Sequence, residues 1–209
     1  MNTSENPFME KPRPKPRNWF ITILQSLVIF SSITIVLYLF VITPNQVDGP
    51  SMEPNFHTYE LLLVNRFAQW VGNTPLGKSL DMDYKRGDVI IFQKPGYPEF
   101  VKRVIGIPGD RIAIRDGYIF INGQKMMEDY LPPGRRTNGA DFIEEGGESK
   151  QVPSDMVFAV GDNRAVSHDS RYSDIGFVKR EWIKGRVIVR FWPLDTFSLI
   201  STGKYTLVK

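Results

Sequence analysis

With no cysteine and only two histidines in 209 residues, a nucleophile in this chain must be Ser, Thr, Asp, Glu, Tyr or Lys. Thiol, disulfide, Cys-based zinc and iron–sulfur chemistry are excluded together. In the run DGPSMEP, Gly49 and Pro50 set a tight bend directly before Ser51. Pro50 has no N–H, but the amides of Ser51 and Met52 can turn into a cleft as oxyanion donors. Taken alone, a Gly-Pro-Ser bend is most often only a turn. In FVKRVIG, strand alternation puts Phe100, Lys102 and Val104 on one face and Val101, Arg103 and Ile105 on the other. A Lys102 turned inward is desolvated, which favours the neutral amine; lowering its pKa from about 10.4 to about 8 costs roughly 3 kcal/mol, within what apolar burial imposes. A neutral lysine can deprotonate a serine, whereas an exposed one merely snorkels past Phe100. A third stretch, GDNRAVSHDSR (161–171), packs Asp162, Arg164, Asp169 and Arg171 around Ser167 and Ser170. Taken singly, its residues read as a loop locked by Arg–carboxylate pairs.

These segments need a scaffold, and the sequence offers short strand-like runs: ELLLV (60–64), DVIIFQ (88–93), FVKRVIG (100–106), RIAIR (111–115), YIFI (118–121), MVFAV (156–160) and RVIVRF (186–191). β-Branched and aromatic residues fill them, and Gly, Pro, Asn and Asp separate them. Asp116-Gly117 between two of the runs is a two-residue hairpin signal. Helical period is confined to about one turn near Asn65–Val71 and another near Lys179–Lys184. The expectation is a mainly β domain with antiparallel sheets over residues 44–209, with a short excursion over 107–155. Within it, the acidic, Pro- and Gly-rich stretch 131–152, including 141–148, is expected to be a solvated loop without chemistry.

From Asn18 to Val47 there is no charged residue. The run from Trp19 to Thr43 is long enough, at about 1.5 Å per residue, to cross a hydrocarbon core of roughly 30 Å, so it reads as one N-terminal transmembrane helix over 19–43. It ends at Pro44 without the small-residue site of a cleaved signal. Lys11, Arg13, Lys15 and Arg17 precede it, while Asp48, Glu53 and Glu60 follow with no cation before Arg66. The positive-inside rule therefore predicts a cytoplasmic tail (1–18), extended by its alternate prolines, and an exported domain. The pI near 9.0 rests largely on that tail, so no basic face for nucleic acid is expected.

Three segments in this order behind a single anchor resemble the type I signal peptidases, membrane-bound serine proteases with a Ser–Lys dyad. GPSMEP, RGDVIIF (86–92), FVKRVIGIPGD (100–110) and GDNRAVSHDSR carry the resemblance. It implies a catalytic domain of signal-peptidase type that removes signal peptides from exported preproteins without metal or cofactor. Ser51 would be the nucleophile and Lys102 the general base, with Ser167 orienting the amine by a hydrogen bond. Asp162 would pair with Arg103 and Asp169 with Arg171, these and Arg164 supporting the site. The substrate would lie as an extended strand between the nucleophile segment and the lysine strand, its small residues entering shallow apolar pockets formed by Val47, Met52, Phe56, Phe100 and Val101. Two departures stand out. Gly49 occupies a position where many members have a serine that helps bind the oxyanion, and Phe100 stands where many have tyrosine. RFWP (190–193) resembles the cyanobacterial and plastid branch, which would mean a plasma or thylakoid membrane. A monomer is the expected state.

A Ser-His-Asp hydrolase would have to use His57 or His168. A silent membrane-anchored β module that binds exported chains is the alternative of another class. A transporter is disfavoured by a single span without intramembrane charge. Trp70, Trp182, Phe191 and Trp192 suit either a bilayer-resting surface or a core.

Overall fold

The computed structural model describes residues 18–71, 74–75, 77 and 83–208, so the predicted cytoplasmic tail lies almost wholly outside the described residues. The chain divides into two units, residues 1–37 and 38–209.

The helix α1 (Trp19–Phe40) exposes large apolar residues around its circumference, among them Trp19, Phe20, Leu27, Phe30 and Ile33. It is long and apolar enough to cross a membrane. Its hydroxyls do not spoil that surface: Ser26, Ser32 and Thr34 each donate to the carbonyl four residues earlier, which satisfies them inside the helix. The predicted anchor boundary is corrected here. The helix stops at Phe40 and the chain enters a strand at Ile42, because Thr43 precedes proline and is biased to extended backbone. Ile42 and Thr43 then pair with Asn65 and Val64.

The second unit contains β1 (Ile42–Gln46), β2 (Leu61–Asn65), the short helix α2 (Phe67–Val71), β3 (Val89–Gln93), β4 (Glu99–Gly106), β5 (Arg111–Arg115), β6 (Tyr118–Ile121), β7 (Gln124–Glu128), β8 (Lys150–Gln151), β9 (Met156–Val160), β10 (Val178–Lys179), β11 (Ile183–Trp192), β12 (Ser198–Leu199) and β13 (Tyr205–Val208). All named strand pairs are antiparallel. The larger sheet runs β1-β2-β11-β3-β4-β9-β10 with β12 on β11, and the smaller runs β13-β7-β6-β5-β8. Every predicted strand run is found. The Asp116-Gly117 turn takes φ of 51° and 75°, the two left-handed residues a tight hairpin needs.

The larger sheet is apolar on both faces. On one, Ile90, Phe92, Val104 and Ala159 form a buried cluster; on the other, Val47, Met52, Phe56, Leu62, Val64, Val89, Ile91, Val101 and Val187 form a second. The sheet curls so far that Asn45 on β1 donates to Glu99 on β4 at 2.7 Å, although three strands separate β1 and β4 in the sheet order. The smaller sheet encloses a third cluster around Ile112, Ile114, Ile121 and Phe158. The stretch 131–152 is mostly exposed and irregular, as a solvated loop or small excursion would be, but it is anchored. Ile143 is fully buried in that cluster, and Glu145 accepts the amides of Gly117 and Gly139. The acidic residues thus cap turns while one aliphatic side chain anchors the stretch.

Candidate active site

Ser51 sits in the connection between β1 and β2, whose base is closed by Val47 donating to the Glu60 carbonyl and Tyr59 to the Val47 carbonyl, both at 2.9 Å. Gly49 adopts φ 85°, a left-handed turn that suits glycine, and so redirects the chain before the serine. Met52 and Phe56, at 0% and 2% exposure, are hydrophobic anchors on either side of a local turn in which Phe56 donates to the Met52 carbonyl. Asn55 ties this turn to distant segments, donating to the Tyr130 carbonyl at 2.9 Å and the Asp162 carboxylate at 2.8 Å. The Ser51 and Met52 amides donate to no other group among the described residues, so both are available to an incoming oxyanion.

Lys102 lies on β4 opposite Ile90, beside the ring of Phe100 at 5.5 Å from its centroid. It is 2% exposed, and its Nζ stands 2.7 Å from Ser51 Oγ. Burial lowers its pKa from the ordinary lysine value to about 8; the Asp169 and Asp162 charges oppose that shift, and Arg171 reinforces it. The two aspartates cannot restore the lysine charge because each is already matched. Arg103 forms a two-pronged bond to Asp162 at 2.6 and 2.9 Å, and Arg171 bonds Asp169 at 2.8 and 3.0 Å. The sequence-predicted pairings are those observed, and they hold neighbouring charges in neutral pairs around a low-dielectric amine.

The closing loop 161–171 supports this arrangement through its backbone. Asp169 accepts the Gly161 amide and Ser170 the Ala159 amide, while Asn163 donates its own amide to the Ser51 carbonyl at 3.0 Å and its side chain to the Pro50 carbonyl at 3.2 Å. Arg164 is buried, reaching the Gly161 carbonyl, Thr137 and Glu128. Ser167 is different from its expectation. Its hydroxyl is buried and has no partner among the described residues, so the expected bond to Lys102 is not formed; the amine is directed at Ser51 instead. The residues expected to line substrate pockets fall into two groups. Val47, Met52, Phe56 and Val101 belong to one packed cluster, and Phe100 stacks on Phe92 at 5.2 Å. The first four thus lie on one face of the sheet and Phe100, partly exposed, on the other beside Lys102. Asn55, Asn163 and Gly161 were not singled out from the sequence as positioning residues; only the last carries a sequence signal, a glycine directly after a buried strand.

Residues 17–192 match the family described as signal peptidase, peptidase S26. The chain belongs to that family. Signal peptidase I of Bacillus caldolyticus is 36% identical over 186 residues, covering 86% of this chain and 91% of its own length. Signal peptidase IB of Staphylococcus aureus is 30% identical over 189 residues, covering 86% of this chain and 91% of its own. Signal peptidase I of Bacillus amyloliquefaciens is 29% identical over 189 residues, with 89% and 95% covered. As a member of this family the chain is a serine peptidase, a hydrolase. These relatives lend no support to the cyanobacterial or plastid branch suggested by RFWP.

Proposed function

We propose that this protein removes signal peptides from exported preproteins with Ser51 as nucleophile and Lys102 as general base. The observation that carries this reading is the 2.7 Å approach of Lys102 Nζ to Ser51 Oγ by a buried amine whose pKa is lowered to about 8. Neutral Nζ accepts the hydroxyl proton as Oγ bonds to the scissile carbonyl carbon. The oxyanion is met by the Ser51 and Met52 amides. The ammonium then protonates the leaving amine as the C–N bond breaks, leaving an ester on Ser51. Water attacks that ester with Lys102 again taking the proton, and the acid product and free serine are released. Cleavage of a purified preprotein by the wild type, lost in Ser51→Ala and Lys102→Ala, tests the dyad.

The histidine mechanism finds less support. His57 and His168 are half-exposed or more, and they face Glu60 and Asp174 respectively. Replacing both should leave cleavage intact.

In the same reading α1 is a membrane anchor with its N-terminus in the cytoplasm, the catalytic unit lies on the exported side, and a monomer suffices because one chain supplies both dyad residues. The membrane surface is met by Trp192, Leu194, Phe197 and Leu199, which are 52 to 76% exposed within one short segment at the end of β11. Of the other aromatics considered, Trp182 packs against the first core cluster, Phe191 is half-buried, and the Trp70 side chain lies outside the described residues.

A further inference from the structure

The C-terminal segment passes from one sheet to the other beside Arg103. β12 pairs with β11 in the larger sheet and β13 with β7 in the smaller, and residues 200–204 make the passage between them. It is pinned along its length. Ile200 donates its amide to the Ile188 carbonyl at 2.9 Å, Thr202 its hydroxyl to the Asp88 carboxylate at 2.8 Å, and the Lys204 carbonyl accepts the Asp129 amide at 3.1 Å.

The tightest point of the passage is Gly203. Its amide donates to the Gly87 carbonyl at 2.9 Å, and the same carbonyl accepts Arg103 Nη1 at 2.9 Å. A Cβ on Gly203 would stand 2.7 Å from the Tyr130 ring and 2.8 Å from Arg103 Nη1, well inside van der Waals contact. The backbone of Gly203 is not left-handed, so glycine is needed here for space rather than for conformation.

The Arg103 guanidinium is boxed as a result. The Tyr130 ring covers it at 4.0 Å, Asp162 takes Nε and Nη2, Gly87 takes Nη1, and Gly203 lies along the Nη1 edge. Two routes lead from this box to the dyad. Arg103 directly follows Lys102 on β4, and Asp162 accepts Asn55 from the Ser51 turn. Among the charges facing Lys102, Asp169 and Asp162 favour the ammonium and Arg171 opposes it. An Arg103 displaced from Asp162 would leave that carboxylate less well matched and the amine protonated to higher pH.

We propose that Gly203 is a positioning residue for the reaction: its bare backbone lets the C-terminal passage seat Arg103 against Asp162, and that pair holds Lys102 and Ser51 in their working arrangement. The proposal rests on the dyad reading above. Its test uses full-length Gly203→Ala and Thr202→Val in detergent, with rate–pH profiles on one preprotein and thermal unfolding of each. Thr202→Val removes a pin of the same passage without adding a group beside Arg103. Gly203→Ala should lower kcat at pH 7 about tenfold with KM within about twofold, and its rising limb should move about one pH unit higher. Thr202→Val should melt at a lower temperature yet keep the wild-type limb. Should Gly203→Ala not fold, Tyr130→Leu removes the ring from the clash, and adding Gly203→Ala to that background should still raise the limb. A wild-type limb in folded Gly203→Ala, the same displacement in Thr202→Val, or no displacement between Tyr130→Leu and the double variant would each overturn the proposal. Failure of the wild type to cleave the preprotein would instead contradict the signal-peptidase reading itself.

Discussion

The carbonyl of Ser51 accepts the amide of Asn163 at 3.0 Å, and the approach is possible because the residue two before Asn163 is glycine. A Cβ built on Gly161 collides with the Ser51 carbonyl and with the Ser167 hydroxyl and Cβ. The nucleophile is thus held by backbone contacts to the loop that also bears the two aspartates around Lys102.

Gly161→Ala should therefore damage catalysis more than folding. Overpacking at such a site costs about 1–3 kcal/mol, while displacement of a nucleophile by about 1 Å costs on the order of 100-fold in rate. Cleavage kinetics compared with thermal unfolding would separate the two; wild-type activity in the variant would show that the approach is not required.

Lys102 makes a prediction about stability whose sign is unusual. Its folded pKa is about 8, below the ordinary value of 10.5, so the unfolded chain binds more protons between these values and stability rises with pH there. Below pH 8 the buried ammonium costs about 3 kcal/mol, a cost that fades by about pH 10.5. Lys102→Met should be more stable than the wild type at pH 7 by up to that amount and should lose most of the advantage at pH 10. Denaturant unfolding at the two pH values measures this; an advantage that does not shrink with pH would argue against a depressed lysine.

Arg103→Met leaves Asp162, at 0% exposure, as an unpaired buried charge. The expected loss is about 3–5 kcal/mol. The freed carboxylate also favours the Lys102 ammonium, so the rising limb of the activity profile should move to higher pH. Asp162→Asn in the same background should bring the limb back toward its original position, which a merely structural role would not do.

The apolar segment at the end of β11 yields a surface prediction. Leu194→Ser combined with Leu199→Ser should slow processing of a preprotein embedded in vesicles severalfold more than processing in detergent. Equal effects in both media would remove the bilayer from the explanation.

What was legible in the sequence follows from local physics. Strands such as VIIFQ and RIAIR announce themselves because β-branched residues and turn formers alternate, and Ser51 and Lys102 stand in runs whose company is distinctive. β1 was hidden because Ile42 and Thr43 continue an apolar run and Pro44 lacks an N–H; a strand at the edge of a sheet tolerates that proline. β7, QKMME, and β13, YTLV, lack the composition or length that marks a strand and gain it only by pairing with each other. Ile143 was unreadable as core because its neighbours are acidic and glycine-rich.

The central claim is that Lys102, as a neutral amine, activates Ser51. Its most direct test is the rate of signal-junction cleavage of one purified preprotein across a pH series by the wild type, Ser51→Ala and Lys102→Ala, with folding verified. The account predicts a wild-type rate that climbs with pH around an apparent pKa of about 8 and no cleavage above background in either variant. Substantial cleavage by folded Lys102→Ala would contradict it.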